Sequence, residues 1–181
     1  AWANFSDRGI PPLLNKYHVV DLLPGKTAPI ANTALHVTAF SLSHPVESSA
    51  FVIAHGDDIF VYFGDTGPDV VEKQGKLDAI WTYLAKQVKH KNLRGMIIET
   101  SFENERPHNL LFGHLTPELL MSELDSFATK IGGEKPLEGL NVVISHIKYT
   151  LAKNVDPRAN IKQQLDKANN LGLNIIIPQQ G

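Results

Sequence analysis

The chain has 181 residues, of which 43% are hydrophobic, 20% charged and 8% aromatic. That length fits one domain, and a chain of this size buries roughly 70% of its unfolded surface without needing disulfides. Seventeen basic against 19 acidic residues, with no cysteine, leave no electrostatic signature of a nucleic-acid binder and exclude disulfide scaffolds and thiolate metal sites.

In chain order, the first 30 residues are broken by Gly9, Pro11, Pro12, Pro24, Gly25 and Pro29. They read as an irregular lead-in with at most one short strand near Tyr17 to Leu22. The opening Ala1-Trp2-Ala3-Asn4-Phe5 has neither the charged nor the apolar stretch of a signal peptide. No apolar run approaches the roughly 20 residues of a membrane span. Leu35, Val37 and Ala39 alternate with His36, Thr38 and Phe40, which predicts a strand ending at Ser43-His44. Phe51 to Ala54 and Ile59 to Phe63 flank His55-Gly56-Asp57-Asp58 and predict a hairpin. Leu77, Ile80, Trp81, Leu84 and Val88 recur at helical spacing, giving a helix over about 75–90.

Met96 to Ile98 reads as a buried strand ending at Glu99. Thr116-Pro117-Glu118 opens a helix whose apolar stripe is Leu120, Leu124 and Phe127. Val142 to Ile144 forms another buried strand, ending at Ser145-His146. Asp156-Pro157 caps a helix carrying Ile161, Leu165 and Ala168, closed by Gly172, and Leu173 to Ile177 makes a last strand. The mixture indicates an α/β sheet with helices packed outside it.

Four apolar runs end in a residue able to bind a cation or move a proton: His44, Asp65, Glu99 and His146. Strand ends of one sheet can converge on a single rim, where open sheets place ligands. Imidazole with carboxylate suits zinc, with manganese or iron as further options. No close-spaced pair such as H-x-H occurs, so ordinary polar strand ends, Asx turns and edge histidines remain the competing reading. Lys148 reads as a solvated cation, and His18, His36, His55, His90 and His108 have no convergent context.

Five blocks occur in order: Ser43-His44-Pro45-Val46-Glu47-Ser48-Ser49-Ala50-Phe51, Phe63-Gly64-Asp65-Thr66-Gly67-Pro68-Asp69, Ile98-Glu99-Thr100-Ser101-Phe102, Phe112-Gly113-His114-Leu115-Thr116-Pro117 and Ile144-Ser145-His146-Ile147-Lys148. Together they resemble the class II 3′,5′-cyclic-nucleotide phosphodiesterases, of the metallo-β-lactamase fold, and Trp2-Ala3-Asn4-Phe5 resembles the lead-in to that family's C-terminal half. The resemblance implies an αββα four-layer sandwich of which residues 1–181 supply the second half. The family's H-x-H-x-D-H metal motif does not occur in these residues.

Carried over, His44 and His146 correspond to histidines of the first and second metal sites, and Asp65 to the carboxylate bridging both ions. The resemblance implies two divalent ions, zinc by preference, with an incomplete ligand set in this chain. Two such ions about 3.5–4 Å apart would neutralise a cyclic phosphodiester and acidify water. By the same resemblance His114 is the candidate proton donor to the leaving 3′ oxygen and Glu99 its orienting carboxylate; Ser48, Ser49 and Thr66 are further donors near the metals.

The implied activity is hydrolysis of cyclic AMP, with cyclic GMP as a second substrate, to the 5′-monophosphate. A tRNA 3′-processing nuclease of the same fold and a catalytically incomplete structural half are the alternatives. The expected partners are the cyclic nucleotide and the missing N-terminal half, with a homodimer left open and neither nucleic acid nor membrane involved. The resemblance implies a periplasmic location if the source is bacterial and an intracellular one if it is fungal, so the compartment stays open.

Overall fold

A computed structural model describes residues 19–153 and 155–179. Seven strands form one sheet in the order of the chain. They are β1 (Thr27–Pro29), β2 (His36–Ser41), β3 (Ser49–His55), β4 (Asp58–Phe63), β5 (Asn92–Glu99), β6 (Asn141–Ser145) and β7 (Asn174–Ile176). The first four pair antiparallel, as short connections allow; β4 to β7 pair parallel. Parallel neighbours require long crossovers, and these carry the helices α1 (Asp69–Glu72), α2 (Lys76–Gln87), α3 (Pro117–Lys130) and α4 (Pro157–Ala168).

The helices share one core with one face of the sheet. Leu77, Ile80, Trp81 and Leu84 of α2, Leu120, Leu124 and Phe127 of α3, and Ile161 and Leu165 of α4 bury with Val52, Val61, Phe63, Met96, Ile98, Val142 and Ile144. Trp81 lies between Phe63 and Phe127, with ring centroids 5.4 and 5.3 Å away. On the other face the register aligns Ala39, Phe51, Tyr62, Ile97 and Val143 in one row. Phe51, Ile97 and Val143 are half-buried there and Tyr62 is exposed. One helical layer on one sheet is the arrangement expected of one half of an αββα sandwich. Among the described residues no helix is long and apolar enough to cross a membrane.

Most expected elements are present, with differences at their ends. Residues 19–22 are not a strand, and Tyr17 and His18 lie outside the described residues, as do Trp2 to Phe5. The first strand comes later because Pro24-Gly25 turns the chain, Gly25 at φ +74° donating its N–H to the Ala39 carbonyl. The last strand is shorter than 173–177. Helix α4 ends at Ala168 with Asn169 as its cap, while Gly172 serves the loop beyond it. The caps at Thr116 and Asp156 form, each side chain accepting a backbone N–H of the first turn.

Candidate metal centre and its proton-transfer dyad

Topology brings the polar strand ends together. Strands β2 and β4 are both antiparallel to β3, so they run the same way, and β5 and β6 run parallel to β4. Their C-terminal ends therefore lie on one rim of the sheet. His44 follows β2, Asp65 follows β4, Glu99 ends β5 and His146 follows β6.

The side chains converge there. His146 Nε2 is 3.2 Å and His44 Nε2 4.0 Å from the same Asp65 carboxylate oxygen. His114 joins them: one donor atom each of His44, Asp65 and His114 lies within 4.8 Å of the others. The His114 ring centroid is 5.1 Å from that of His44 and 5.3 Å from that of His146. His44 Nδ1 faces the Val46 backbone, 3.1 Å from its carbonyl oxygen and 3.3 Å from its nitrogen, and bonds one or the other according to tautomer. Its Nε2 remains on the Asp65 side. Burial holds the His146 imidazole below its ordinary pKa; the Lys148 cation pushes the same way and Asp65 opposes them. Lys148 Nζ lies 2.7 Å from His146 Nε2.

Glu99 is fully buried and accepts four hydrogen bonds. Thr66 N–H and His114 Nδ1–H reach Oε1 at 2.9 and 2.7 Å. The Ser101 hydroxyl and Leu115 N–H reach Oε2 at 2.6 and 3.2 Å. A buried carboxylate with four donors acts as an acceptor only, so the proton of this dyad sits on His114 Nδ1. Nε2 is then the one His114 nitrogen available to the site, an arrangement that suits either an acid–base catalyst or a metal ligand.

Three local devices hold this geometry. Phe112 and Gly113 both adopt positive φ, +53° and +77°. A Cβ on Gly113 would sit 2.7 Å from Pro45 Cδ and 3.0 Å from His44 Cα. Only glycine lets the 112–114 loop lie against His44. Gly67 N–H donates to the Ser43 carbonyl at 2.8 Å, tying the β4 loop to the β2 loop. Ser101 Oγ, whose one proton goes to Glu99 Oε2 over the shorter distance, lies 3.0 Å from the carbonyl of His146, a residue at a φ of +56° that side chains rarely adopt.

All five expected residues thus meet at one rim. Sequence reasoning did not find Ser101, whose only signal is its place two residues after Glu99. It also missed the grouping of His114 with His44 and Asp65. Ser48 and Ser49 stand apart in the strand pairing, where the Ser48 and Ser49 carbonyls accept Leu42 N–H and Gly64 N–H. Thr66 contributes through its backbone.

A model of the family cAMP phosphodiesterases class-II matches residues 14–181. A 3′,5′-cyclic-nucleotide phosphodiesterase of Aliivibrio fischeri is 48% identical over 183 aligned positions, covering 100% of this chain and 55% of that protein. The crystal structure of unliganded yeast PDE1 superposes with a TM-score of 0.77 at 29% identity, over 88% of this chain and 48% of that one. The metallo-beta-lactamase fold protein YhfI of Bacillus subtilis superposes with a TM-score of 0.62 at 14% identity, over 93% of this chain and 56% of that one, which supports the fold alone. The chain spans about half the length of the curated relatives it matches. It belongs to the class II cAMP phosphodiesterase family.

Proposed function

We propose that the protein containing this chain is a dinuclear-metal hydrolase. It would open the 3′ phosphoester bond of 3′,5′-cyclic AMP, with cyclic GMP as a second candidate substrate, to give the 5′-monophosphate. The observation that carries the reading is the meeting of His44, Asp65, His146 and the Glu99–His114 dyad at one strand-end rim. The donor chemistry fits a divalent ion: imidazole nitrogens stand beside an aspartate carboxylate, a set that would suit zinc. When bound, the ions supply neutralisation of the phosphate charge and acidification of water.

Within this reading His44, Asp65 and His146 hold the ions, and residues 1–181 are the C-terminal half of a single domain. A catalytic zinc generally keeps about three protein ligands, so two ions need more donors than these three side chains provide. The rest of the protein supplies them. His114 holds a proton at Nε2 and passes it to the 3′ oxygen as the ester bond breaks. Glu99 fixes the tautomer and the ring orientation through Nδ1. The close grouping of His114 with His44 and Asp65 favours a second reading, in which His114 Nε2 is itself a ligand and Glu99 its supporting carboxylate.

The deciding experiment is product analysis with the whole protein. Cyclic AMP should yield 5′-AMP, and chelation should abolish turnover. Formation of 3′-AMP, or full activity in excess chelator, would overturn the proposal.

A further inference from the structure

Under the proposed function Asp65 holds the ions, and its position depends on the loop that follows β4. That loop is pinned through its backbone. Thr66 N–H reaches Glu99 Oε1 at 2.9 Å and Gly67 N–H the Ser43 carbonyl at 2.8 Å; both partners belong to the rim. Pro68 has no N–H to give, and the next donor, Asp69 N–H, goes 2.8 Å to Glu123 Oε1 on α3. Little slack lies between these points. Pro68 fixes its own φ, at −75°, and the Glu72 side chain packs so close that a Cβ on Gly67 would lie 2.6 Å from Glu72 Cγ. A shift of Asp69 is therefore passed towards Asp65 rather than absorbed.

Glu123 is suited to hold the third point. It is 7% exposed, and its other oxygen accepts the Trp81 indole N–H at 3.1 Å. Trp81 is fully buried and stacked on Phe127, so the carboxylate is braced against a side chain locked by packing. A carboxylate this deep costs free energy unless donors meet it. Packing α2 on α3 does not require one: Ile80 and Leu84 bury with Leu120 and Leu124, and Lys130 bridges Asp78 at 2.8 Å. What the carboxylate adds is an acceptor for the Asp69 N–H. Two donors need an acceptor on both oxygens, and a glutamine would turn its amide N–H groups towards one of them.

We propose that Glu123 is a positioning residue for Asp65, acting from α3 through the Asp69 N–H. The assignment rests on the reading of the rim as a metal-hydrolase site. In the whole protein, zinc affinity is measured by competition with a chelating dye, beside the denaturation midpoint of each variant. Glu123→Gln and Glu123→Asp should each weaken zinc binding about tenfold, the lower end of what the outer partners of a metal ligand are worth. The aspartate draws the carboxylate back by a methylene, so that it no longer spans both donors. Trp81→Phe lowers stability in the same core but leaves the Glu123–Asp69 bond, and should leave zinc affinity unchanged. A merely structural Glu123 would make affinity follow stability, so equal weakening in Trp81→Phe and the Glu123 variants would overturn the proposal. If neither Glu123 variant folds, amide hydrogen exchange in the wild type decides: zinc should slow exchange at Asp69, and an unchanged rate would overturn the coupling. A wild type that binds no zinc would overturn the metal reading and the positioning with it. Zinc bound equally by the wild type and both Glu123 variants would overturn the positioning alone.

Discussion

Asp65 and His114 stand within reach of the same two histidines, yet they differ in what surrounds them. The Asp65 carboxylate faces His146 and His44, which under the proposed function would hold a cation with it. His114 is 6% exposed and tied at Nδ1 to a carboxylate that is itself saturated with donors. Removing the first should remove the cation, while removing the second should remove a proton. In the whole protein, Asp65→Ala should therefore lose metal content and activity together. His114→Ala should keep its metal and lose about 10²–10⁴-fold in kcat, the range of general acid catalysis. Elemental analysis beside kinetics separates them. Metal lost from the His114 variant would instead make it a ligand, and the proton donor would have to be sought elsewhere.

Between elements, a carboxylate links three helices to the loop that carries Asp65. Glu123 of α3 accepts the Asp69 N–H at 2.8 Å and the Trp81 indole N–H at 3.1 Å. Asp69 in turn caps α2 by accepting the N–H groups of Leu77 and Asp78. Burial pushes the Glu123 carboxyl above its ordinary value, against the pull of the two donors. A raised folded pKa means that the folded state binds this proton more tightly than the unfolded chain. Its contribution to stability is thus fullest below the unfolded value of about 4.5 and fades as pH rises through the folded pKa. The difference in unfolding free energy between wild type and Glu123→Gln should accordingly fall as pH climbs from 4 towards neutrality, followed by denaturant titration. A pH-independent difference would rule this out. None of this network was legible in the sequence. The helices themselves were, because Leu77 to Leu84 and Leu120 to Phe127 keep a strict apolar period. A lone Glu at a buried helical position carries no pattern, and the four-residue helix α1 is too short to show one. Asp65, Glu99 and His146 were legible as strand ends, since a buried apolar run that stops at a polar residue marks where the sheet rim begins. His114 was not, for it rides a loop held by positive φ at Phe112 and Gly113 rather than by periodicity; only its resemblance to a known block singled it out.

At the scale of the molecule, the same sheet presents two unequal faces. The helical face is closed by Trp81, Phe127, Leu124 and their neighbours. The opposite face carries Phe51, Tyr62, Ile97 and Val143 in one row, partly open to water. A sheet face of that composition ordinarily packs on another layer, and relatives of about twice the length have the chain to provide one. Under the proposed dinuclear function the site and the sheet lack the same thing: two ions would ask for about six protein contacts, and the apolar row asks for a cover. Both shortages predict the behaviour of the 181 residues prepared alone. They should bind zinc weakly, turn over cyclic AMP far more slowly than the whole protein, and self-associate through the open face. Tyr62→Lys should shift sedimentation towards monomer without restoring turnover, because solubility and ligand count are separate deficits. A monomeric, zinc-loaded chain with the turnover of the whole protein would show that the rim is complete as it stands, and that the second layer contributes nothing to catalysis.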